Sequence, residues 1–262
     1  MSKLAGAKTP GTEAAERVGD VVLVFLSERE QIGVSEIARE LSLSKAVVYR
    51  ILRSLVSRGI VEADPISRKY SLGPTATAIG IRALRRQDIR AVARDLLVKL
   101  RDSSGETATL SSLTGNRRTY IDQCESQQEI KMTVQLGQIY PLHAGASSRA
   151  ILAHVSEAEK HHVYETANLY LSDGSVVNRE ELDLELGEIR GRGYAMSRGQ
   201  RQAGAGSVAA PVFGTDLSIC GAMSVCGPIS RFDESFGERI APLVVSAANT
   251  LSNRLRASLS AP

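Results

Sequence analysis

A chain of 262 residues, of which 43% are hydrophobic and 23% charged, is long enough for two domains with buried cores and is not a disordered tail. Its net charge of +3 is too small to indicate a partner by itself. The three cysteines, Cys124, Cys220 and Cys226, are widely spaced, which excludes a disulfide framework and favours a reducing compartment. With no signal peptide and no apolar run of membrane-spanning length, we expect a cytoplasmic protein without a membrane partner.

The N-terminal part of the chain predicts a flexible arm and then a set of short helices. Residues 1–11 show no periodicity, so we expect a frayed arm there. A first helix follows the N-cap Thr12 and extends to about Arg29. The apolar residues that we expect on its buried face are Val18, Val21, Val22 and Phe25. Ser35 is expected to cap a second helix over residues 36–41.

A third helix and a hairpin complete this predicted domain. Ser44 is a suitable N-cap for a helix over residues 45–57, which Gly59 ends. Residues 60–63 and 69–72 have the composition of two short strands joined by a turn. Helix, short turn, helix and hairpin form a winged helix-turn-helix, which we place at residues 12–74.

The exposed face of the third helix is the part of such a domain that enters the major groove of double-stranded DNA. Six basic and two acidic residues lie between Ser42 and Lys69, a surplus on the elements that would face phosphates. The N-terminal part of the helix would contact base edges, and the wing would contact phosphates. The predicted DNA-contacting residues are Ser35, Ser44, Lys45, Ala46, Tyr49, Arg50, Arg53, Arg68 and Lys69. The alternative, a winged helix used only for protein contacts, is disfavoured by these basic residues.

Helical spacing resumes after Gly73-Pro74, and strands then alternate with helices. Residues 75–88 predict a connecting helix, and residues 89–262 predict a second domain. The class predicted for the whole chain is α+β. Strands are expected at residues 107–113, 118–124, 130–134, 206–213 and 219–225. Helices are expected at about residues 146–154, 157–166, 179–192 and 233–256.

At this point the chain resembles the IclR-type transcriptional regulators. The resemblance rests on VSEIARELSLSKAVVYRILRSLVSRGIVEAD and YSLGP in the first half, and on IYPLHAGASSRAILA, GYAMSRGQRQAGAGSVAAPVF and AMSVCGPISRF in the second. It implies a GAF-like effector-binding domain fused to the winged helix-turn-helix. It also implies homodimers through the DNA-binding half, often dimers of dimers, and control by a small organic effector. Two departures are Ser148-Arg149 in place of the usual Gly-Lys, and Gln200 in place of Glu.

The small residues 144–148 begin a predicted helix whose free N–H groups suit a carboxylate or carbonyl oxygen. The effector positions that the resemblance implies are Ala146, Ser147, Ser197, Ala205, Ser207, Ser224 and Cys226. Ser224 and Cys226 are two apart and would face the same side of a strand. Met132, Val134 and Leu136 form either an apolar wall opposite them or part of the core.

The sequence therefore predicts a ligand-responsive DNA-binding regulator without a cofactor, a repressor rather than an activator, although both share these features. An enzyme is disfavoured because His143 lacks a visible acidic partner and nucleophile elbow. Gly204-Ala205-Gly206 precedes a strand where a dinucleotide loop requires a helix. A redox or metal sensor that uses Cys220 and Cys226 stays open, and metal content or thiol-dependent DNA binding would distinguish it.

Overall fold

The computed structural model describes residues 12–27, 29–86, 89–214 and 216–257. The arm predicted at residues 1–11 lies outside them. The described residues up to Arg86 form one compact unit, and those from Ile89 onward form a second. The predicted connecting helix falls on a helix that ends at Arg86, and its last two residues are not among those described.

The first unit is a small helical domain with a hairpin. Its elements are α1 (Glu13–Leu23), α2 (Val34–Glu40), α3 (Lys45–Val56), β1 (Val61–Ala63), β2 (Tyr70–Leu72) and α4 (Pro74–Arg86). Thr12 and Ser44 cap α1 and α3 as predicted, since their hydroxyl oxygens accept hydrogen bonds from backbone amides three residues later. The predicted hairpin is confirmed, because β1 and β2 pair antiparallel with Val61 opposite Leu72.

Three local predictions in this unit are wrong. The first helix ends at Leu23 and tightens into a 3₁₀ turn over Val24–Leu26. Val18 is 38% exposed, because the buried face is centred further along the chain, on Val21 and Val24. Ser35 is not a cap.

The reason that Ser35 is not a cap is that α2 begins one residue before it. Val34 is the first helical residue and Gly33 is the N-cap. The Glu36 carboxylate accepts the Gly33 N–H at 2.8 Å, so it satisfies the amide that precedes the helix.

The second unit is an α+β domain. Its elements are α5 (Ile89–Ser104), β3 (Thr107–Thr114), β4 (Arg117–Cys124), β5 (Ile139–Pro141), α6 (Ala146–Leu152), α7 (Glu157–Thr166), α8 (Arg179–Arg192), β6 (Ala195–Arg198), β7 (Ala205–Phe213), β8 (Ile219–Pro228) and α9 (Glu234–Ala257). The strands form one antiparallel sheet in the order β5-β4-β3-β8-β7-β6. One face of the sheet packs on α5 and α9, and the other packs on α6 and α8.

The strand expected at residues 130–134 is not formed, and β5 occupies the sheet edge instead. Side chains satisfy the backbone where a neighbouring strand would have done so. The Thr107 hydroxyl donates to the Met132 carbonyl at 2.6 Å, and the Gln123 side chain accepts the Val134 N–H at 2.9 Å. The segment is thus fixed beside the sheet without joining it.

Two β-bulges decide which side chains face α6. Ile121 is the extra residue in β4, because Leu110 pairs with Asp122 while Ser111 pairs with Tyr120. Cys220 is the extra residue in β8, because Val212 pairs with Gly221 while Phe213 pairs with Ile219. Each bulge transfers the alternation of its strand from one face of the sheet to the other.

Candidate DNA-reading surface and effector cavity

The outward face of α3 presents polar and basic side chains on a helix that is fixed from behind. Val48, Leu52 and Leu55 are buried in the core of the first unit. The opposite face carries the exposed residues Lys45, Ala46, Tyr49, Arg50 and Arg53. The Ser44 hydroxyl is engaged as the N-cap, where it accepts the Val47 N–H at 3.3 Å. This face is therefore free in the unit itself and rigidly presented.

The basic side chains of the first unit fall into two groups. Arg17 and Arg29 are paired with Glu13 and Glu40, and the Arg58 guanidinium donates to the carbonyl and hydroxyl of one residue, Ser54. In the described part of this unit, no ion pair or side-chain hydrogen bond engages the five basic residues predicted to contact DNA. These are Lys45, Arg50, Arg53, Arg68 and Lys69.

The wing is a defined turn, and it holds two of these free cations in place. The Asp64 carboxylate accepts the backbone N–H groups of Ile66 at 2.7 Å and Ser67 at 3.2 Å. These hydrogen bonds lower the pKa of Asp64. Arg68 adopts a φ of 56°, in the left-handed region, and brings the chain back towards β2. The turn exposes the side chains of both Arg68 and Lys69.

A cavity in the second unit lies against the start of α6. It is lined by Arg118, Tyr120, Gly145, Ala146, Ser147, Ser197, Arg201, Gln202, Ala205, Gly206, Ser207 and Cys226. The structure thus brings six of the predicted effector residues to one place, namely Ala146, Ser147, Ser197, Ala205, Ser207 and Cys226. The cavity offers about 20 Å³ to the centres of water-sized molecules, which is about the room one water needs. An organic ligand would therefore have to open it.

Ser224 does not line the cavity, but it accepts a hydrogen bond from Ser147, which does. The Ser147 hydroxyl donates to the Ser224 hydroxyl at 3.0 Å, and Ser224 is bonded in turn to Thr109 at 2.6 Å. All three side chains are buried. A chain of buried hydroxyls therefore orients Ser147 at the cavity wall.

The predicted apolar wall is present only in part. Val134 is buried and Met132 half-buried, and both pack against Tyr120 and Cys226. Leu136 is 45% exposed and does not line the cavity, so the prediction for it is wrong. The chain turns away there, since Gly137 has a φ of 85° and its N–H donates to the Tyr120 carbonyl.

Sequence reasoning missed the charged and aromatic part of the cavity. The Arg118 side chain is buried and donates to the hydroxyls of Ser148 at 2.7 Å, Ser111 at 3.2 Å and Tyr120 at 3.2 Å. Its guanidinium carbon also lies 4.3 Å from the Tyr120 ring centroid. The alternation of Arg118 and Tyr120 along β4 was the available signal.

The two departures from the family pattern do not line this cavity, but Ser148 and Gln200 contact residues that do. Ser148 accepts the hydrogen bond from Arg118, and its own hydroxyl donates to the Pro141 carbonyl at 2.8 Å. The Gln200 side-chain oxygen accepts the Gly145 N–H at 3.3 Å, ahead of α6. Ser148 and Gln200 therefore supply partners to residues that line the cavity, whereas Arg149 donates to the His143 carbonyl and to Glu185.

The cysteines do not form a reactive pair. The β8 bulge turns Cys220 towards α9, whereas Cys226 faces the cavity. Burial raises the pKa of Cys220 to about 11 and that of Cys226 to about 12, which disfavours the reactive thiolate. Within the described residues no three His, Cys, Asp or Glu side chains group as metal ligands. These observations give a redox or metal sensor no support.

Comparison with known proteins agrees with the two-unit architecture. The family model for the IclR helix-turn-helix domain matches residues 14–65, and that for the bacterial transcriptional regulator IclR C-terminal domain matches residues 81–253. The chain belongs to the IclR family. This IclR-family protein is therefore a DNA-binding transcription regulator and not an enzyme.

Curated relatives of this IclR-family chain cover most of its length. The HTH-type transcriptional regulator BhcR of Paracoccus denitrificans is 30% identical over 92% of this chain and 87% of its own. The transcriptional repressor IclR of Escherichia coli is 24% identical over 95% of this chain and 93% of its own.

Solved structures share the fold. A putative IclR transcriptional regulator from Silicibacter sp. has a TM-score of 0.84 at 26% identity, covering 93% of this chain and 96% of its own. An IclR homolog from Microbacterium hydrocarbonoxydans, crystallised with 4-hydroxybenzoate, has a TM-score of 0.74 at 22% identity, covering 94% of this chain and 100% of its own.

In the described part of this chain no helix has the length and apolar character to cross a membrane.

Proposed function

We propose that this regulator changes its affinity for an operator when a small organic effector with a carboxylate or carbonyl group occupies the cavity. The observation that carries the proposal is the convergence of six predicted effector residues on one enclosed space. The homolog from Microbacterium hydrocarbonoxydans, which was crystallised with 4-hydroxybenzoate, supports an organic carboxylate as the class of ligand.

The output of the proposed switch is the outward face of α3 together with the wing. Lys45 and Arg50 would donate to guanine edges in the major groove, and Ala46 would contact a thymine methyl group. Arg53, Arg68 and Lys69 would contact phosphates, which positions the domain without specifying sequence. No ion pair or side-chain hydrogen bond occupies these five cations in the described first unit, which supports this assignment.

We also propose that the regulator works as a homodimer, or a dimer of dimers, formed through the first unit. Val18 and Leu23 on α1 and Ile79 on α4 are 38%, 58% and 58% exposed, and a second copy would cover such apolar side chains. Two copies would read two half-sites, and an effector would alter their spacing. The proposal of repression is supported by the similarity to the E. coli transcriptional repressor IclR.

The test has two steps. Small organic acids and carbonyl compounds are first screened by thermal shift, because a ligand that binds only folded protein raises its melting temperature. Operator binding is then measured with and without each ligand found. Ser147→Phe fills the cavity and is expected to abolish the ligand response while leaving DNA binding in place. Ser246→Phe, at an exposed site on α9, is the matched control. If Ser147→Phe folds and still responds like the wild type, the cavity is not the effector site.

A further inference from the structure

Among the described residues that line the cavity there are two cations and no anion. The cations are Arg118 and Arg201, and none of these lining residues is Asp or Glu. Buried charges in proteins are normally paired with an opposite charge, because removing an ion from water is costly. Two arginines without an acid in one cavity therefore point to negative charge that the ligand itself brings.

Arg118 is the more deeply placed of the two, at 1% exposure. Its hydrogen-bond partners among the described residues are the neutral hydroxyls of Ser111, Ser148 and Tyr120, which use three of the five guanidinium N–H groups. The remaining N–H groups can donate to a bound carboxylate, the acceptor whose geometry the guanidinium fork matches.

Two acidic side chains close to this region, Glu106 and Asp122, are engaged elsewhere. Glu106 is close enough to influence the Cys226 thiol, but both of its carboxylate oxygens accept hydrogen bonds from Arg231. Asp122 is on the same strand as Arg118 but pairs with Arg94. Neither carboxylate is free to neutralise Arg118.

Arg201 approaches the same pair of aromatic rings. Its guanidinium carbon lies 5.0 Å from the Tyr140 ring centroid, and that of Arg118 also lies 5.0 Å from it. The two guanidinium carbons are therefore no farther apart than twice this distance. One small molecule with two carboxylates can therefore contact both guanidinium groups.

We propose that the effector is an organic dianion, a short dicarboxylate whose two carboxylates are bound by Arg118 and Arg201. This rests on the proposed function, since it names the ligand class of the same cavity. Ser147, Ser197 and Ser207 also line the cavity, and their hydroxyls would supply neutral hydrogen bonds. A monocarboxylate, aromatic or aliphatic, leaves one of the two cations without a counter-charge.

The experiment is calorimetric titration of the full chain with succinate and glutarate, against butyrate and 4-hydroxybenzoate as monocarboxylates. The wild type is expected to bind a dicarboxylate at least about tenfold more tightly than either monocarboxylate, because a charged hydrogen bond contributes about 1.5–3 kcal/mol. Arg118→Met and Arg201→Met are each expected to weaken dicarboxylate binding by about 10- to 100-fold. Arg117→Met, at an exposed position of the same strand, is the matched control.

Each single arginine variant is also expected to lose the preference for dicarboxylates over monocarboxylates, a change that a merely structural role would not cause. Where Arg118→Met does not fold, Arg201→Met at the half-buried position supplies the same comparison. Monocarboxylates binding as tightly as dicarboxylates, an unchanged preference in Arg201→Met, or no binding of either dicarboxylate would overturn the proposal. In those cases the proposed function still stands if a neutral or monoanionic effector changes operator binding in the wild type and Ser147→Phe abolishes that response.

Discussion

Salt dependence is the property of this regulator that most directly tests where DNA lies. Replacing Arg68 by Gln removes one cation that the described first unit leaves unpaired on its wing. Each phosphate that a protein neutralises contributes about 0.9 to the slope of log affinity against log salt. Arg68→Gln therefore lowers DNA affinity less at 200 mM salt than at 50 mM salt. The ratio of wild-type to variant affinity should fall by about 3.5-fold between 50 and 200 mM for one lost contact, and by about twelvefold where two protomers bind.

The assay is fluorescence anisotropy of a labelled duplex without operator sequence, titrated at several salt concentrations between these limits. If Arg53, Arg68 and Lys69 are the phosphate contacts, the wild-type slope is about −2.7 per bound protomer. Arg68→Gln and Arg53→Gln should each reduce its magnitude by about 0.9 per protomer, and the double variant by about twice that. Thermal melts confirm that each variant is folded.

Arg58→Gln is the control, because it removes the same charge from the same unit. The Arg58 guanidinium donates to the Ser54 carbonyl at 2.9 Å and is held at the C-terminal end of α3. Its removal should change the slope by much less than a full contact. If Arg58→Gln changes the slope as much as Arg68→Gln does, the slope reflects the total charge of the unit and not contacts between particular residues and phosphates. No change in Arg53→Gln and Arg68→Gln would show that α3 and the wing do not face DNA.

Three other outcomes follow from the described contacts. Arg231→Met leaves the buried Glu106 carboxylate unpaired and should lower the free energy of unfolding by about 3 kcal/mol in urea denaturation. The double variant that adds Glu106→Gln should recover part of this loss. Cys226 should react slowly with a disulfide reagent at pH 8 in the native protein and fast in denaturant, since burial raises its pKa to about 12; fast native reaction would contradict its placement. Ser44→Ala should destabilise the first unit by about 1 kcal/mol in thermal unfolding, and an unchanged melt would mean that the cap contributes nothing.

Elements fixed by local chemistry were predictable from the sequence. The helix expected at residues 157–166 is α7, where Ser156 and Glu159 form a capping box. The helix expected at residues 179–192 is α8, which Asn178 caps and Gly193 ends in the left-handed conformation. In each case the start signal lies within three residues of the helix that it begins, so no distant contact was needed.

Elements that depend on distant partners were not predictable in this way. Ile130, Met132 and Val134 alternate as in a strand, yet Thr107 and Gln123 bind the backbone of that segment. The short strand β6 was missed, because its identity comes from pairing with β7. The small residues of the cavity were predicted because the family resemblance implies them as effector positions. The resemblance implied no such role for Arg118 or Arg201.

The failure to find Arg118 has a specific physical cause. Alternation along β4 puts Arg118, Tyr120, Asp122 and Cys124 on one face, where a carboxylate would balance the guanidinium. The bulge at Ile121 divides this set, because Asp122 and Cys124 turn towards α5, where Arg94 and Arg101 bind them. Arg118 is left facing the cavity without an acid. A one-residue irregularity thus converts what the sequence presents as a neutral strand face into a cationic cavity wall, and the carboxylate of the proposed effector would supply the missing charge.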